Sequence, residues 1–260
     1  MFDLVIVGGG NMGAALLGGL LDSGTLEPES VAVVDVADAR RAELAVAFPG
    51  VTVSDRVPAC SAALLAVKPG DIPSAASAAS AAGARRLLSI AAGVRIATIE
   101  AAVGADVAVV RAMPNTPALV RLGASAIAAG SRAGADDVAW AESILSAVGI
   151  VERMTEPELD LFTGVAGSGP AYVFLVAEAL TEAAVADGMA RPVAERVVQQ
   201  LLLGSATLLA REGDPALLRE RVTSPGGTTA AGLRVLDSLG VRAAFGAAVR
   251  SATERSRELG

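Results

Sequence analysis

Leu4-Val5-Ile6-Val7-Gly8-Gly9-Gly10-Asn11-Met12-Gly13 is the stretch on which the fold reading turns. Four consecutive apolar residues ended by glycines mark a short strand buried on both faces of a parallel sheet. Gly8, Gly10 and Gly13 stand at Gly-x-Gly-x-x-Gly spacing, and residues 12–23 continue as a helix. Between a strand and a helix, such glycines allow a tight turn and let backbone N–H groups approach a pyrophosphate at the positive end of the helix dipole. A dinucleotide site is therefore expected on Gly8, Gly10, Asn11, Met12 and Gly13.

Outward from this turn the same alternation repeats. Strands are predicted at 31–34, 63–67, 87–90, 107–110, 125–129 and 150–153, with helices at 38–47 and 135–147 and Asp38 as a helix cap. Pro69 stops the strand that ends at Val67. Strand–helix alternation implies α/β architecture with a doubly wound parallel sheet and right-handed crossovers. Residues 1–155 are read as a Rossmann-type dinucleotide-binding domain. From residue 156 the strand signals stop, and residues 156–260 are read as an all-helical domain for dimerisation and substrate binding.

Composition removes several kinds of chemistry. Among 260 residues there is no His and one Cys, Cys60, so Ser-His triads, His-based metal sites and disulfide frameworks are absent; no metal is expected. A net charge of −7 argues against a nucleic-acid partner. The chain is apolar on average, yet its best membrane candidate, 161–177, is interrupted by Gly167-Ser168-Gly169-Pro170, and a span needs about 20 apolar residues in sequence. No basic leader precedes the first apolar run, and Asp3 stands where a signal peptide carries Lys or Arg. A soluble cytoplasmic protein without a membrane partner is expected. Its chemistry must run on a cofactor, backbone dipoles or hydroxyl groups.

The rare residues cluster in loops. The chain has one Lys and two Asn: Lys68 in Ala66-Val67-Lys68-Pro69-Gly70, Asn11 in the glycine turn, and Asn115 in Met113-Pro114-Asn115-Thr116-Pro117. Together with Ala91-Ala92-Gly93, these loops end strands at the edge where ligands bind to parallel sheets. Lys68, Ala91 and Asn115 are thus candidate cofactor contacts, with Lys68 as an exposed turn residue the plainer alternative. Asp35 ends the second strand where an acid receives a ribose 2′-hydroxyl, which favours NADH. Arg40 and Arg41 follow closely and could instead clamp a 2′-phosphate, which favours NADPH. The two readings conflict, and use of either coenzyme is expected. Asp35 as a mere cap with the arginines on a solvated face also stays open.

The second half reads as helices over 170–187, 193–211, 215–221, 228–239 and 242–258, with Asp214 as a cap. The helix from 171 to 180 is apolar on most faces and needs cover on all sides, which implies a homodimer, with a higher assembly of dimers left open and an internal helix within a monomer as the alternative. Tyr172 in that helix is read as core packing, not as a general acid. Ser224-Pro225-Gly226-Gly227-Thr228-Thr229 combines a rigid residue, two residues without Cβ and hydroxyl groups at a helix start. It is expected to hold a carboxylate on backbone N–H groups, with Ser224, Gly226, Gly227, Thr228 and Thr229 as substrate contacts. An ordinary Ser/Thr cap is the alternative.

Six motifs, at 8–13, 66–70, 89–94, 111–120, 167–174 and 224–229, resemble pyrroline-5-carboxylate reductase in their residues and their order, across nearly the whole chain. The resemblance implies reduction of 1-pyrroline-5-carboxylate to L-proline by NADPH or NADH, the last step of proline biosynthesis. It implies that Gly8–Gly13 and Lys68 contact the cofactor, that Asn115 lies on the nicotinamide side, and that residues 224–229 hold the substrate carboxylate. Thr229 then lies near the imine nitrogen and is the candidate catalytic residue. The family usually has a short polar residue where Asp35 stands, and usually favours NADPH. A related imine or hydroxyacid reductase, and a nucleotide-sensing dimer without turnover, remain as alternatives.

Overall fold

The computed structural model describes all 260 residues, Met1–Gly260. They form two compact units, Met1–Ser168 with Arg250–Gly260, and Gly169–Val249.

The first unit is built on one eight-stranded sheet. Its elements run β1 (Leu4–Val7), α1 (Asn11–Asp22), β2 (Val31–Val34), α2 (Asp38–Ala47), β3 (Thr52–Ser54), β4 (Ala62–Leu65), α3 (Ile72–Ala81), β5 (Arg86–Ser89), α4 (Ile96–Ala101), β6 (Ala108–Met113), β7 (Gly123–Ala129), α5 (Ala135–Ser146), β8 (Gly149–Arg153) and α6 (Glu158–Phe162). Strand order is β3-β2-β1-β4-β5-β6-β7-β8. The chain thus moves one way from β1 to β3, then returns to place β4 on the other side of β1, and this reversal opens a crevice at the carboxyl ends of β1 and β4.

Alternation along the strands explains their unbroken apolar runs. Val5, Val7, Ala32, Val34, Ala63 and Leu65 face the layer containing α3 and α4. Their neighbours Leu4, Ile6, Val31, Val33 and Leu64 face the layer containing α1, α2 and α5. Successive side chains point to opposite faces, so a sheet covered on both sides demands apolar residues at every position. Each fully buried Val, Leu or Ile contributes about 1.5–3 kcal/mol of transfer free energy.

The sheet departs from the all-parallel expectation at one place. β7 runs antiparallel to β6, and β8 then runs parallel to β7. Residues 114–122 join β6 to β7 through a single 3₁₀ turn, Thr116–Val120, which reverses the chain with Arg121 in the left-handed region at φ 59°. A parallel return needs a crossover of about a dozen residues or more, and this connection is shorter. β3 is a further difference: three residues, none buried and two of them polar, form an edge strand beside β2.

The sheet ends at Arg153, close to the boundary expected at 155, but the first unit runs on to Ser168 and includes the C-terminus. Ser256 donates to Asp160 Oδ1 at 2.7 Å, and Arg95 pairs with Asp160 Oδ2 at 3.1 Å. Asp160 is 2% exposed, and these partners satisfy it. Arg111, also buried, pairs with Glu156, whose Oε1 accepts the Ile96 N–H at 2.7 Å.

Gly167-Ser168-Gly169-Pro170 does not interrupt the helix as expected. α6 passes into a π-turn, Thr163–Gly167, in which the Ser168 N–H donates to the Thr163 carbonyl at 2.8 Å, and α7 (Gly169–Ala186) begins after a bend at Ser168. The wider turn absorbs the irregularity, and Pro170 falls in the first turn of α7, where its missing N–H costs no bond. The run Glu158–Ala186 is consequently long and apolar enough, by length and composition, to cross a membrane.

In the second unit α7 is followed by α8 (Arg191–Glu212), α9 (Pro215–Arg221), α10 (Thr228–Ser238) and the start of α11 (Val241–Leu259), whose residues from Arg250 on belong to the first unit. Asp214 caps α9 as expected, accepting from the Ala216 and Leu217 N–H groups. α7 and α8 pack on each other, yet no residue of α7 is buried. Val173, Phe174 and Leu175 are 51%, 61% and 63% exposed. Tyr172 is half-buried, so the core position expected for it is not found within this one chain. The cover that an apolar helix needs is missing from its own fold.

Candidate active site

The turn after β1 has a different use for each glycine. Gly8 sits at φ +107°, and a Cβ there would strike the Ala66 carbonyl at the end of β4. A Cβ on Gly13 would strike the Gly8 carbonyl, so α1 lies tight against the turn. Gly10, with φ −63°, has nothing within 4 Å of where a Cβ would stand. It is the position at which a ligand can come close to the main chain. No side chain caps α1 and its first turn holds no acid, so the N–H groups of Asn11, Met12 and Gly13 stand without intrahelical partners at the positive end of the helix dipole.

Beside the turn lies a cavity of about 580 Å³, lined by Gly8, Val34, Asp35, Val36, Val67 and residues of α3. Asp35 is fixed within it. Oδ2 accepts the Gly9 N–H at 3.0 Å and Oδ1 accepts the Ala37 N–H at 2.9 Å. A carboxylate offers about four acceptor positions, so two remain for a ligand hydroxyl pair. Asp35 therefore organises the turn after β2 and faces the cavity at once; the two sequence readings of it are compatible.

The arginines after it are engaged within the protein. Arg40 Nε donates to the Gly9 carbonyl at 2.6 Å and its Nη1 to Glu43 at 2.7 Å. Arg41 donates to the Asp35 carbonyl at 2.8 Å and pairs with the Asp38 carboxylate. Asp38 is the first residue of α2 and makes no cap bond, contrary to its expected role; Arg41 has taken its carboxylate.

Lys68 is exposed and precedes the 3₁₀ turn Pro69–Asp71. Ala91 is buried just beyond β5. Asn115 follows β6, and its side chain is largely spent on the protein: Nδ2 donates to the Ala166 carbonyl at 3.1 Å, and Oδ1 accepts the Ala124 N–H at 2.9 Å. These three share an edge with the glycine turn but do not line the cavity that Gly8 and Asp35 share. The cavity's far wall is made by Asp55, Arg56 and Val57, after β3, and by Asp71 and Ser74. Sequence reading passed over these because the only signal for β3 is the short β-branched run Val51-Thr52-Val53.

In the second unit, the Gly227 N–H donates to the Ser224 carbonyl at 3.0 Å, closing a turn with Pro225 and Gly226 at its centre. Gly226 stands at φ +71°, the left-handed value a type II turn requires at that place. α10 then starts at Thr228 with no side-chain cap and no acid in its first turn. The ordinary Ser/Thr cap is thereby set aside. The N–H groups of Thr228 and Thr229 open the helix end, and the Thr229 side chain is half-buried. Cys60 is remote in role: it is buried, and burial pushes its thiol up, away from the reactive thiolate.

The two helix ends correspond to two segments that known proteins also share. A family model described as pyrroline-5-carboxylate reductase dimerisation matches residues 156–259, and one described as NADP oxidoreductase coenzyme F420-dependent matches residues 3–93. The chain is 43% identical to a pyrroline-5-carboxylate reductase of Synechocystis sp., over 99% of this chain and 98% of that one. It resembles the solved structure of a pyrroline-5-carboxylate reductase from Coxiella burnetii with a TM-score of 0.92 and 34% identity, covering 100% of this chain and 98% of the other. The Plasmodium falciparum pyrroline carboxylate reductase, solved with NADP bound, matches with a TM-score of 0.84 and 27% identity over 100% and 98% of the two chains. With its parallel-dominated sheet, its helical second half and likeness along its whole length, this chain belongs to the pyrroline-5-carboxylate reductase family.

Proposed function

We propose that this protein reduces 1-pyrroline-5-carboxylate to L-proline with NADPH or NADH, the last step of proline biosynthesis. The observation that carries this reading is full-length membership of the family with both open helix ends intact, at Gly10–Gly13 and at Gly227–Thr229. When bound, NAD(P)H supplies the hydride that converts the C=N bond to an amine.

The residues divide the remaining work. Gly10, Asn11, Met12 and Gly13 hold the pyrophosphate on backbone N–H groups, Gly8, whose own N–H donates to the Val34 carbonyl, shapes the turn beneath it, and Asp35, with Arg40 behind it, meets the ribose. Lys68, Ala91 and Asn115 complete the coenzyme contacts, Asn115 with the one amide hydrogen it keeps. Ser224, Gly226, Thr228 and Thr229 grip the substrate carboxylate, and Gly227, whose N–H closes the turn on the Ser224 carbonyl, shapes the loop. Thr229 stands by the imine nitrogen and passes the proton that the product amine needs. A cyclic imine is basic enough to take that proton without a strong acid, which suits a chain lacking His. Residues 1–155 carry the coenzyme and 156–260 the substrate and the dimer contact. The exposed apolar face of α7 is covered by a second copy, in a soluble cytoplasmic homodimer.

Mixing purified protein, the imine and either reduced coenzyme is expected to consume coenzyme and yield proline in equal amounts. Imine-independent oxidation, or none with both coenzymes, would falsify the reading.

A further inference from the structure

We propose that Asp35 makes this protein selective for NADH over NADPH. The proposal rests on the coenzyme reading above and decides what that reading leaves open. Asp35 is held in place at both oxygens, by the Gly9 and Ala37 N–H groups, so it cannot swing away from an incoming group without losing two bonds. A ribose 2′-hydroxyl donates to such a carboxylate, whereas a 2′-phosphate sets a second anion against it.

The two arginines that follow Asp35 do not stand ready to offset that repulsion. Arg40 is bonded to the Gly9 carbonyl and Glu43, and Arg41 to the Asp35 carbonyl and Asp38, so each guanidinium already faces a carboxylate of α2. The remaining charged lining of the cavity is Asp55, Asp71 and Arg56, two anions for one cation. Val36, immediately after Asp35, also lines the cavity and is 90% exposed, so an apolar side chain occupies a place where a cation would serve NADPH. Repulsion by Asp35, commitment of Arg40 and Arg41, and an apolar Val36 act in one direction.

The test reads coenzyme binding directly, through dihydronicotinamide fluorescence titrated with protein and no imine. The native protein is expected to bind NADH at least about tenfold more tightly than NADPH. Asp35→Ser is expected to close that gap by about tenfold, mostly through tighter NADPH binding. Since Asp35→Ser gives up two acceptor contacts and could loosen the turn, Val36→Arg is the second variant. Its exposed side chain leaves the fold intact, and it should shift the NADPH:NADH affinity ratio toward NADPH, as Asp35→Ser does. Equal affinities or a preference for NADPH in the native protein overturns the proposal, as does an NADH:NADPH ratio that neither variant moves. A wrong imine substrate would leave these ratios untouched, whereas failure to bind either coenzyme would sink the functional reading as well.

Discussion

The amide oxygen of Asn115 accepts the backbone N–H of Ala124 at 2.9 Å. With its Nδ2 on the Ala166 carbonyl, the same side chain joins the turn after β6 to the start of β7 and to the π-turn before α7. Asn115 thus holds the shape of its loop before it meets any ligand. Asn115→Ala should cost about 2 kcal/mol of stability, the penalty for partly buried groups left unpaired. Its urea midpoint should fall and its kcat/KM with it. An unchanged midpoint would show that these bonds carry no weight.

The glycine turn should separate folding from binding. Gly13→Ala must push α1 off the turn and is expected to lower Tm by several degrees, about 1–3 kcal/mol of overpacking. Gly10→Ala meets only open space, so Tm should hold while coenzyme affinity falls by about tenfold or more. Thermal melts alongside fluorescence titrations check both; the reverse pattern would place the pyrophosphate elsewhere.

Thr229→Ala should lower kcat for imine reduction by about a hundredfold and leave coenzyme affinity unchanged, as loss of a proton-relaying group does. Thr229→Ser should retain most of the activity. A matching loss of kcat and of coenzyme affinity would remove Thr229 from the imine.

Sedimentation equilibrium should return at least twice the 25.8 kDa chain mass. Phe174→Asp, at a side chain 61% exposed in the single chain, should sediment as a single chain with an unchanged helical CD spectrum. Buried apolar area between copies is then what the charge removes. A monomeric native protein would leave the apolar face of α7 to another partner.

Legibility in the sequence followed the strength of local signals. β1, β2 and α2 could be located to within about a residue, because an apolar run or an amphipathic period ends sharply at Gly, Asp or Pro. The loops before α1 and α10 were equally plain, since their residues are contiguous, but that both helix ends stay uncapped is seen only in the structure. β3 was passed over because three residues, none of them buried, carry little pattern, and with it went the Asp55–Val57 wall of the cavity. The antiparallel turn at β7 was hidden because direction is a property of the connection, not of the strand. Docking of the C-terminal residues was invisible for another reason: Thr253 and Ser256 are the buried positions there, and polar contacts such as Ser256 with Asp160 leave no apolar stripe.

By itself, the order of residues determined the local chemistry: where the apolar strand runs empty into glycine turns, which loops carry the rare polar residues, and that no imidazole takes part. Tertiary structure alone decided which of those groups are still available to a ligand. Asp35, Arg40 and Asn115 all read as free contacts along the chain, and only folding shows Arg40 engaged, Asn115 nearly so, and Asp35 fixed yet facing a cavity. Hydrogen-bonding capacity is spent between residues distant in sequence, such as Gly9 and Asp35, and no local pattern records that spending.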